Sequence, residues 1–293
     1  MTQIDSNITN RRRLNEILRS ITRLRPLPTS TSRILRALDE PTVTAGFIAE
    51  LIAMDQAITA YTLRVANSAA LGYTTSCASI KEAVMRLGFK QVRSLVVSTV
   101  ASGPLSSRLS GYRLGDKELW NHSVNVGSAA HWLAGTIRFP DPEKAYVAGL
   151  LHDIGKLVLD QYVFADYNQM VYMMLTHNLA MWQVEQHLFG VDHAAVGGLT
   201  TSHWQFPEEL VDAIRYHHAP SLSEKYYQLA AIVNMANALI PLEDSSMHNS
   251  ELEGRVIHPD TLQILNIPEH MIESLQNRFF DAMAIYEARN LTI

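Results

Sequence analysis

The strongest constraint on this chain is a hydrophobic period of helical spacing, cut again and again by residues that start and stop helices. After Thr44 the sequence sets Phe47, Ile48, Leu51 and Ile52 on one stripe, as in a helix with one buried face. A helix carrying Ile34, Leu35 and Leu38 is expected after Leu27-Pro28 and should stop before Pro41. Asp55 is placed to cap a third, which holds Leu63 and Val65 and ends at Asn67-Ser68. Ser79-Ile80-Lys81-Glu82 has the form of a capping box ahead of Ala83, Val84 and Leu87, with Gly88 at the C-terminal cap. The apolar run 92–100 suits a buried helix or a strand, and its helical neighbours favour helix. Further on, Asp116 is expected to cap a helix running to about residue 133, and Asp141-Pro142, Asp192 and Pro207 open others. An apolar helix over 228–240, a long polar loop over 241–259 and a closing helix from about Pro268 complete an all-α chain. No internal repeat, low-complexity tract or glycine-rich phosphate loop interrupts it.

The segment 102–115 is rich in Ser and Gly and has little periodicity, which marks a boundary. Two helical lobes are therefore expected, residues 1–112 and residues 113–293. With 47% hydrophobic and 18% charged residues there is ample material for a core and little reason for disorder. A net charge of −5 argues against nucleic acid and anionic membrane as partners. The cluster Arg11, Arg12 and Arg13, followed by Arg19, Arg23 and Arg25, reads as a solvated helix face. The lone Cys77 excludes an internal disulfide framework and a Cys-rich zinc site. The polar N-terminal stretch has no signal-peptide core, and no run nears the roughly 20 apolar residues of a spanning helix. A cytoplasmic, soluble protein is the expectation.

Chemistry concentrates in histidines and carboxylates. Glu118 and His122 stand four apart, on one helix face. His152 and Asp153 are adjacent, His193 follows the cap at Asp192, and His217-His218 stand at a helix end. Imidazole nitrogens and carboxylate oxygens suit borderline divalent metals such as Fe, Mn, Zn, Co or Ni. Adjacent residues on a helix point about 100° apart, so His152 and Asp153 share a metal only if the helix passes beside it. Singly, each of these features is better explained as surface or core. The remaining histidines, His131, His177, His187, His203, His248, His258 and His270, are read that way.

The ordered set is a different matter. Leu51-Ile52-Ala53-Met54-Asp55, Leu63-Arg64-Val65-Ala66-Asn67-Ser68 and Ile80-Lys81-Glu82-Ala83-Val84-Met85-Arg86-Leu87-Gly88 resemble the N-terminal signature of the HDOD (HD-related output domain) family. Asn121-His122-Ser123, Gly149-Leu150-Leu151-His152-Asp153-Ile154-Gly155-Lys156, Gly190-Val191-Asp192-His193, Trp204-Gln205-Phe206-Pro207 and Tyr216-His217-His218 resemble both HDOD proteins and the HD-GYP phosphodiesterases of cyclic di-GMP. The resemblance runs from about residue 25 to residue 240. It implies an HD-domain-like helical bundle with an additional N-terminal helical lobe. It also implies metal-ligand roles for Glu118, His122, His152, Asp153, His193, His217 and His218, with Asp153 bridging two ions and Lys156 facing a substrate phosphate. The implied cofactor is one or two divalent metals, Fe or Mn ahead of Zn or Ni.

Two departures bear on activity. Asn237 stands where HD enzymes place a last Asp ligand, and a neutral amide binds a hard cation less strongly and cannot act as a base. The segment after the histidine pair, Ala219-Pro220-Ser221-Leu222-Ser223-Glu224, lacks the Gly-Tyr-Pro motif. The expectation is thus a bacterial signal-transduction output module, non-catalytic and able to bind metal, whose partner is a signalling protein or a nucleotide. The alternative is a metal-dependent phosphohydrolase or phosphodiesterase acting on a nucleotide or cyclic dinucleotide, with Asp153 and Lys156 as its catalytic residues.

Overall fold

The structure, a computed structural model, describes residues 3–23, 27–68, 71–240 and 256–290. Among them the fold is all-α, and a single β-bridge, between Leu109 and Leu114, is the only strand-like pairing. None of the described helices is long and apolar enough to cross a membrane.

The chain packs as two units that are not contiguous in sequence. The smaller takes residues 26–103 and 269–293. It contains α2 (Thr29–Ala37), α3 (Ala45–Ala53), α4 (Gln56–Ala66), most of α5 (Ile80–Leu105) and α14 (Ile272–Asn290). Its core is aliphatic, with Ile34, Ile48, Ile52, Ile58, Val92 and Val96 almost wholly buried. The caps sit where the sequence sets them. Thr44 accepts the Phe47 amide, and Asp55 accepts those of Ala57 and Ile58 at 3.0 and 3.1 Å. The run 92–100 is helical, as its neighbours imply.

Gly88 ends the first half of α5, as expected, but the chain turns there and resumes as helix rather than leaving the element. Its φ of 75° with ψ of 161° bends α5 in a region open essentially to glycine alone.

The larger unit takes residues 1–25 and 104–268. It comprises α1 (Gln3–Arg23), α6 (Glu118–Thr136), α7 (Pro142–Leu151), α8 (Lys156–His177), α9 (Met181–Phe189), α10 (His193–His203), α11 (Glu208–Arg215), α12 (Tyr227–Leu239) and α13 (Pro259–Leu265). The division differs from a single cut after residue 112, because α1 buries Ile17 and Ile21 and packs on α8, α9 and α10. Arg13 reinforces that docking with an ion pair to Asp166 at 2.8 Å, while Arg12 pairs with Glu16 on the exposed face. The side chains of Arg11, Arg23 and Arg25 lie outside the described residues, as does the stretch 241–255 of the expected polar loop.

Asp141 and Asp192 cap α7 and α10 through the amides of Lys144 and Ala195. Asp116 does not cap α6. Lys117 precedes that helix in the left-handed region, and Glu118 closes the turn itself by accepting the Gly115 amide at 2.7 Å.

A side chain at Gly88 would meet nothing within 4 Å, so any penalty for adding one is conformational rather than steric. Gly88→Ala should therefore lower unfolding stability by about 1–3 kcal/mol, read as a lower urea midpoint at unchanged helix content.

Candidate metal centre

The centre is built on a turn. α7 stops at Leu151, α8 starts at Lys156, and residues 152–155 form the tight connection between them. His152, the C-cap of α7, keeps helical backbone angles, and Asp153 follows it into the turn. The turn is closed by Lys156 N–H donating to the Asp153 carbonyl at 2.9 Å and Ile154 N–H to that of Leu151 at 3.0 Å. Gly155 is required at its end: a Cβ there would lie 2.0 Å from the His193 carbonyl oxygen and 2.6 Å from the Gly197 nitrogen. That backbone contact brings the first turn of α10, and with it His193, against Asp153.

Two clusters of potential ligands result, His122 with His152 and Asp153, and His193 with His217 and His218. Asp153 joins them. Its Oδ2 lies 3.4 Å from His152 Nε2 and 3.8 Å from His122 Nε2, and its Oδ1 lies 3.1 Å from His193 Nε2. His193 Nε2 is also 2.9 Å from His218 Nε2, and the His217 and His218 ring centres are 4.0 Å apart. All six residues are buried, none more than 9% exposed.

Two of the rings are oriented from behind by backbone carbonyls. His152 Nδ1–H donates to the Gly149 carbonyl at 2.7 Å, and His217 Nδ1–H to that of Ile214 at 2.8 Å. On the inner side the Nε2 atoms of both rings are buried and without a hydrogen-bond partner. Such buried orphans are uncommon in proteins and point to an unfilled role. A divalent cation fits that role in both donor type and ring orientation.

Burial alone would raise Asp153, but the charges of His152, Lys156 and His193 outweigh it and hold the carboxyl well below its usual range. Lys156 supplies the closest contact, Nζ to Asp153 Oδ2 at 2.6 Å. Burial opposes the charged form of His193 as well, yet Glu185 and Asp153 raise it to about 9. Burial and the neighbouring imidazoles push His217 and His218 well below the ordinary histidine value, so both are neutral.

Of the residues singled out in the sequence, Glu118 is not brought into the clusters, since its carboxylate is spent on the Gly115 amide at the start of α6. Asn237, on α12, is buried, and its Oδ1 lacks a hydrogen-bond partner. Lys156 stands at the Asp153 carboxylate. His131, His177, His187, His203, His258 and His270 are outside both clusters, and His248 lies outside the described residues.

The sequence reading missed Glu185 and Tyr112. Glu185 is wholly buried on α9 and accepts from both the backbone N–H and the Nδ1–H of His193, each at 2.7 Å. Tyr112 donates its hydroxyl to the other Glu185 oxygen at 2.8 Å. The available signal was a glutamate set between Val184 and Leu188 on the apolar side of a short helix.

The HDOD domain family matches residues 24–220 of the chain. An uncharacterised protein of Treponema pallidum is 30% identical over 220 residues, which is 74% of this chain but 42% of that protein, so the chain spans about two fifths of the curated relative's length. Among solved structures, an HDOD domain protein of unknown function from Geobacter sulfurreducens aligns at a TM-score of 0.63 and 24% identity, covering 92% of this chain and 97% of its own. A Shewanella amazonensis protein named provisionally as a phosphohydrolase aligns at 0.67 and 24%, covering 90% and 93%. At this identity the two structures speak for the fold. The matched stretch runs from the signature motifs of α3 to α5 through the turn of Asp153 to the His217-His218 pair, and the chain belongs to the HDOD family.

Proposed function

We propose that this chain is a bacterial signal-transduction output module whose HD-type centre binds divalent metal without turning over a substrate. One observation carries the metal half of the proposal: the inner nitrogens of His152 and His217, rings 5.0 Å apart, are buried with no hydrogen-bond partner, and that of His152 lies 3.4 Å from the Asp153 carboxylate. Leaving a buried polar atom unpaired costs about 1–3 kcal/mol, and a cation bound by His122, His152, Asp153, His193, His217 and His218 removes that cost. The donor set suits Fe or Mn, and also Zn or Ni. When bound, the metal supplies positive charge and Lewis acidity.

Two features support binding without turnover. Every candidate ligand is buried, and the Trp182 ring stacks on His218 at 5.4 Å between centres. Asn237 offers a neutral carbonyl where a hydrolase would hold a carboxylate. The family's output role supplies the partner class, a signalling protein or a nucleotide. A second reading, a phosphohydrolase, is favoured by Lys156, whose ammonium is partly exposed beside Asp153 and suited to a phosphate.

Protein purified without added metal or chelator should carry near-stoichiometric Fe or Mn by elemental analysis, and His152→Ala/Asp153→Ala should carry less than a tenth of it. The loaded protein should leave cyclic dinucleotides and nucleotides intact. Wild type that stays empty after anaerobic Fe²⁺ or Mn²⁺ reconstitution would overturn the metal centre, whereas metal-dependent turnover would establish the phosphohydrolase reading.

The metal-free protein should show a definite pH dependence. His193 is raised from 6.5 to about 9 on folding, so the folded state holds a proton that the unfolded chain releases between those values. Its contribution is complete below about pH 6.5 and is lost as the pH rises through about 9. The stability difference between chelator-treated wild type and His193→Asn should accordingly shrink by on the order of 3 kcal/mol over that window, as measured by urea unfolding.

A further inference from the structure

We infer that Glu185 is a positioning residue for the centre, locking His193 so that its Nε2 faces the ligand cluster, and that Tyr112 holds Glu185 in place. The inference rests on the metal-binding reading for its consequence but on hydrogen-bond geometry for its substance.

A single carboxylate oxygen, Glu185 Oε2, takes two hydrogen bonds from one residue, the backbone N–H of His193 and its ring Nδ1–H, both at 2.7 Å. Fixing main chain and ring to one atom determines both side-chain torsions of the histidine. With Nδ1 carrying the proton, Nε2 is the nitrogen left for the cluster, where it meets Asp153 Oδ1 at 3.1 Å and His218 Nε2 at 2.9 Å. The backbone bond also satisfies one of the orphan amides in the first turn of α10, beside the Asp192 cap on Ala195.

Glu185 is buried at zero exposure with both its oxygens engaged, the second by the Tyr112 hydroxyl at 2.8 Å. Tyr112 is anchored in turn. The amides of Gly111 and Tyr112 donate to Asp160 Oδ1 at 2.8 and 3.3 Å, and a Cβ at Gly111 would lie 2.0 Å from the Asp160 carbonyl oxygen. The tyrosine ring lies 5.8 Å from the Lys156 ammonium, against the cation that holds Asp153. The layer therefore runs from the 111–112 turn through α9 to α10 and meets the centre at both of its charged groups. A buried carboxylate behind a ligating imidazole typically governs affinity by about 10–100-fold.

The test compares wild type, Glu185→Gln and Tyr112→Phe, each stripped of metal and titrated with Mn²⁺ against a chelator of known affinity. Proton NMR of the metal-free proteins follows the imidazole N–H signals. Glu185→Gln keeps the acceptor and loses the charge; Tyr112→Phe keeps the charge and loses its partner. Both should fold with wild-type helix content and bind Mn²⁺ about 10–100-fold more weakly. Wild type should show a downfield, exchange-protected Nδ1–H signal that is absent from His193→Asn and moves upfield in Glu185→Gln. Wild-type affinity in the folded variants would overturn the inference. If wild type itself binds no Mn²⁺, the metal-binding reading fails, and the protected Nδ1–H signal alone decides whether Glu185 positions His193. Should Glu185→Gln fail to fold, Tyr112→Phe carries both readouts.

Discussion

A carboxylate buried among imidazoles governs this structure. Asp153 is 2% exposed, and an unpaired charge at that depth would cost several kcal/mol. The sequence around it supplies the compensation from three directions. Lys156, one turn along, reaches one oxygen, and His193, delivered by the contact of α10 with Gly155, reaches the other. His152 approaches from the preceding residue, at the C-terminal cap of α7. Glu185 is the second buried carboxylate, and His193 lies between the two, which is why burial fails to keep that ring neutral. The metal-free centre thus balances two carboxylates against Lys156 and a protonated His193. A cation entering it must displace the His193 proton, so metal binding and proton release are linked at a single nitrogen.

What the sequence disclosed followed the range of the interactions. The caps at Thr44, Asp55, Asp141 and Asp192 are contacts over two or three residues, and they were legible because side chain and amide lie in one stretch of chain. Asp116 misled because the same local chemistry was available to Glu118, and the left-handed Lys117 gave Glu118 the geometry. α8 escaped a periodicity reading because apolar side chains also lie outside its buried stripe: it buries Val158, Leu159, Val163, Met170 and Met174 and leaves Phe164, Tyr172 and Leu175 exposed, while the buried stripe of α9, Met181, Val184, Leu188 and Phe189, is interrupted by the carboxylate of Glu185. The pairing of α1 with 104–268 is a long-range choice by Ile17, Ile21 and Arg13 that no local signal announces.

For the candidate site, the five histidines and Asp153 that family resemblance named are brought together in space, although they are spread along the chain over residues 122–218. Glu118, four residues before His122 on a shared helix face, stands outside that group, with one carboxylate oxygen bonded to the Gly115 amide. The resemblance was silent on Glu185 and Tyr112. Their roles depend on the packing of α9 against α8 and α10 and on the turn at Gly111, and neither is encoded as a spacing.

Charge counting bears directly on what the centre holds. Five of the clustered groups are imidazoles, neutral when they ligate, and Asp153 is the single carboxylate among the six. With Asn237 contributing at most an amide oxygen, and Lys156 adding a positive charge beside Asp153, a pair of dications would stand largely uncompensated in a buried site. Glu185 offsets part of that charge, but only through the His193 ring. The low dielectric that strengthens each ligand contact also magnifies the repulsion between two ions. On this balance the proposed centre favours one cation, or a second accompanied by an anion from outside, and a phosphate-bearing ligand is an anion that Lys156 is placed to meet. The Asn237 position therefore changes more than one ligand. It removes a negative charge that a second cation would need, so under the proposed reading only that second cation would depend on an anionic ligand.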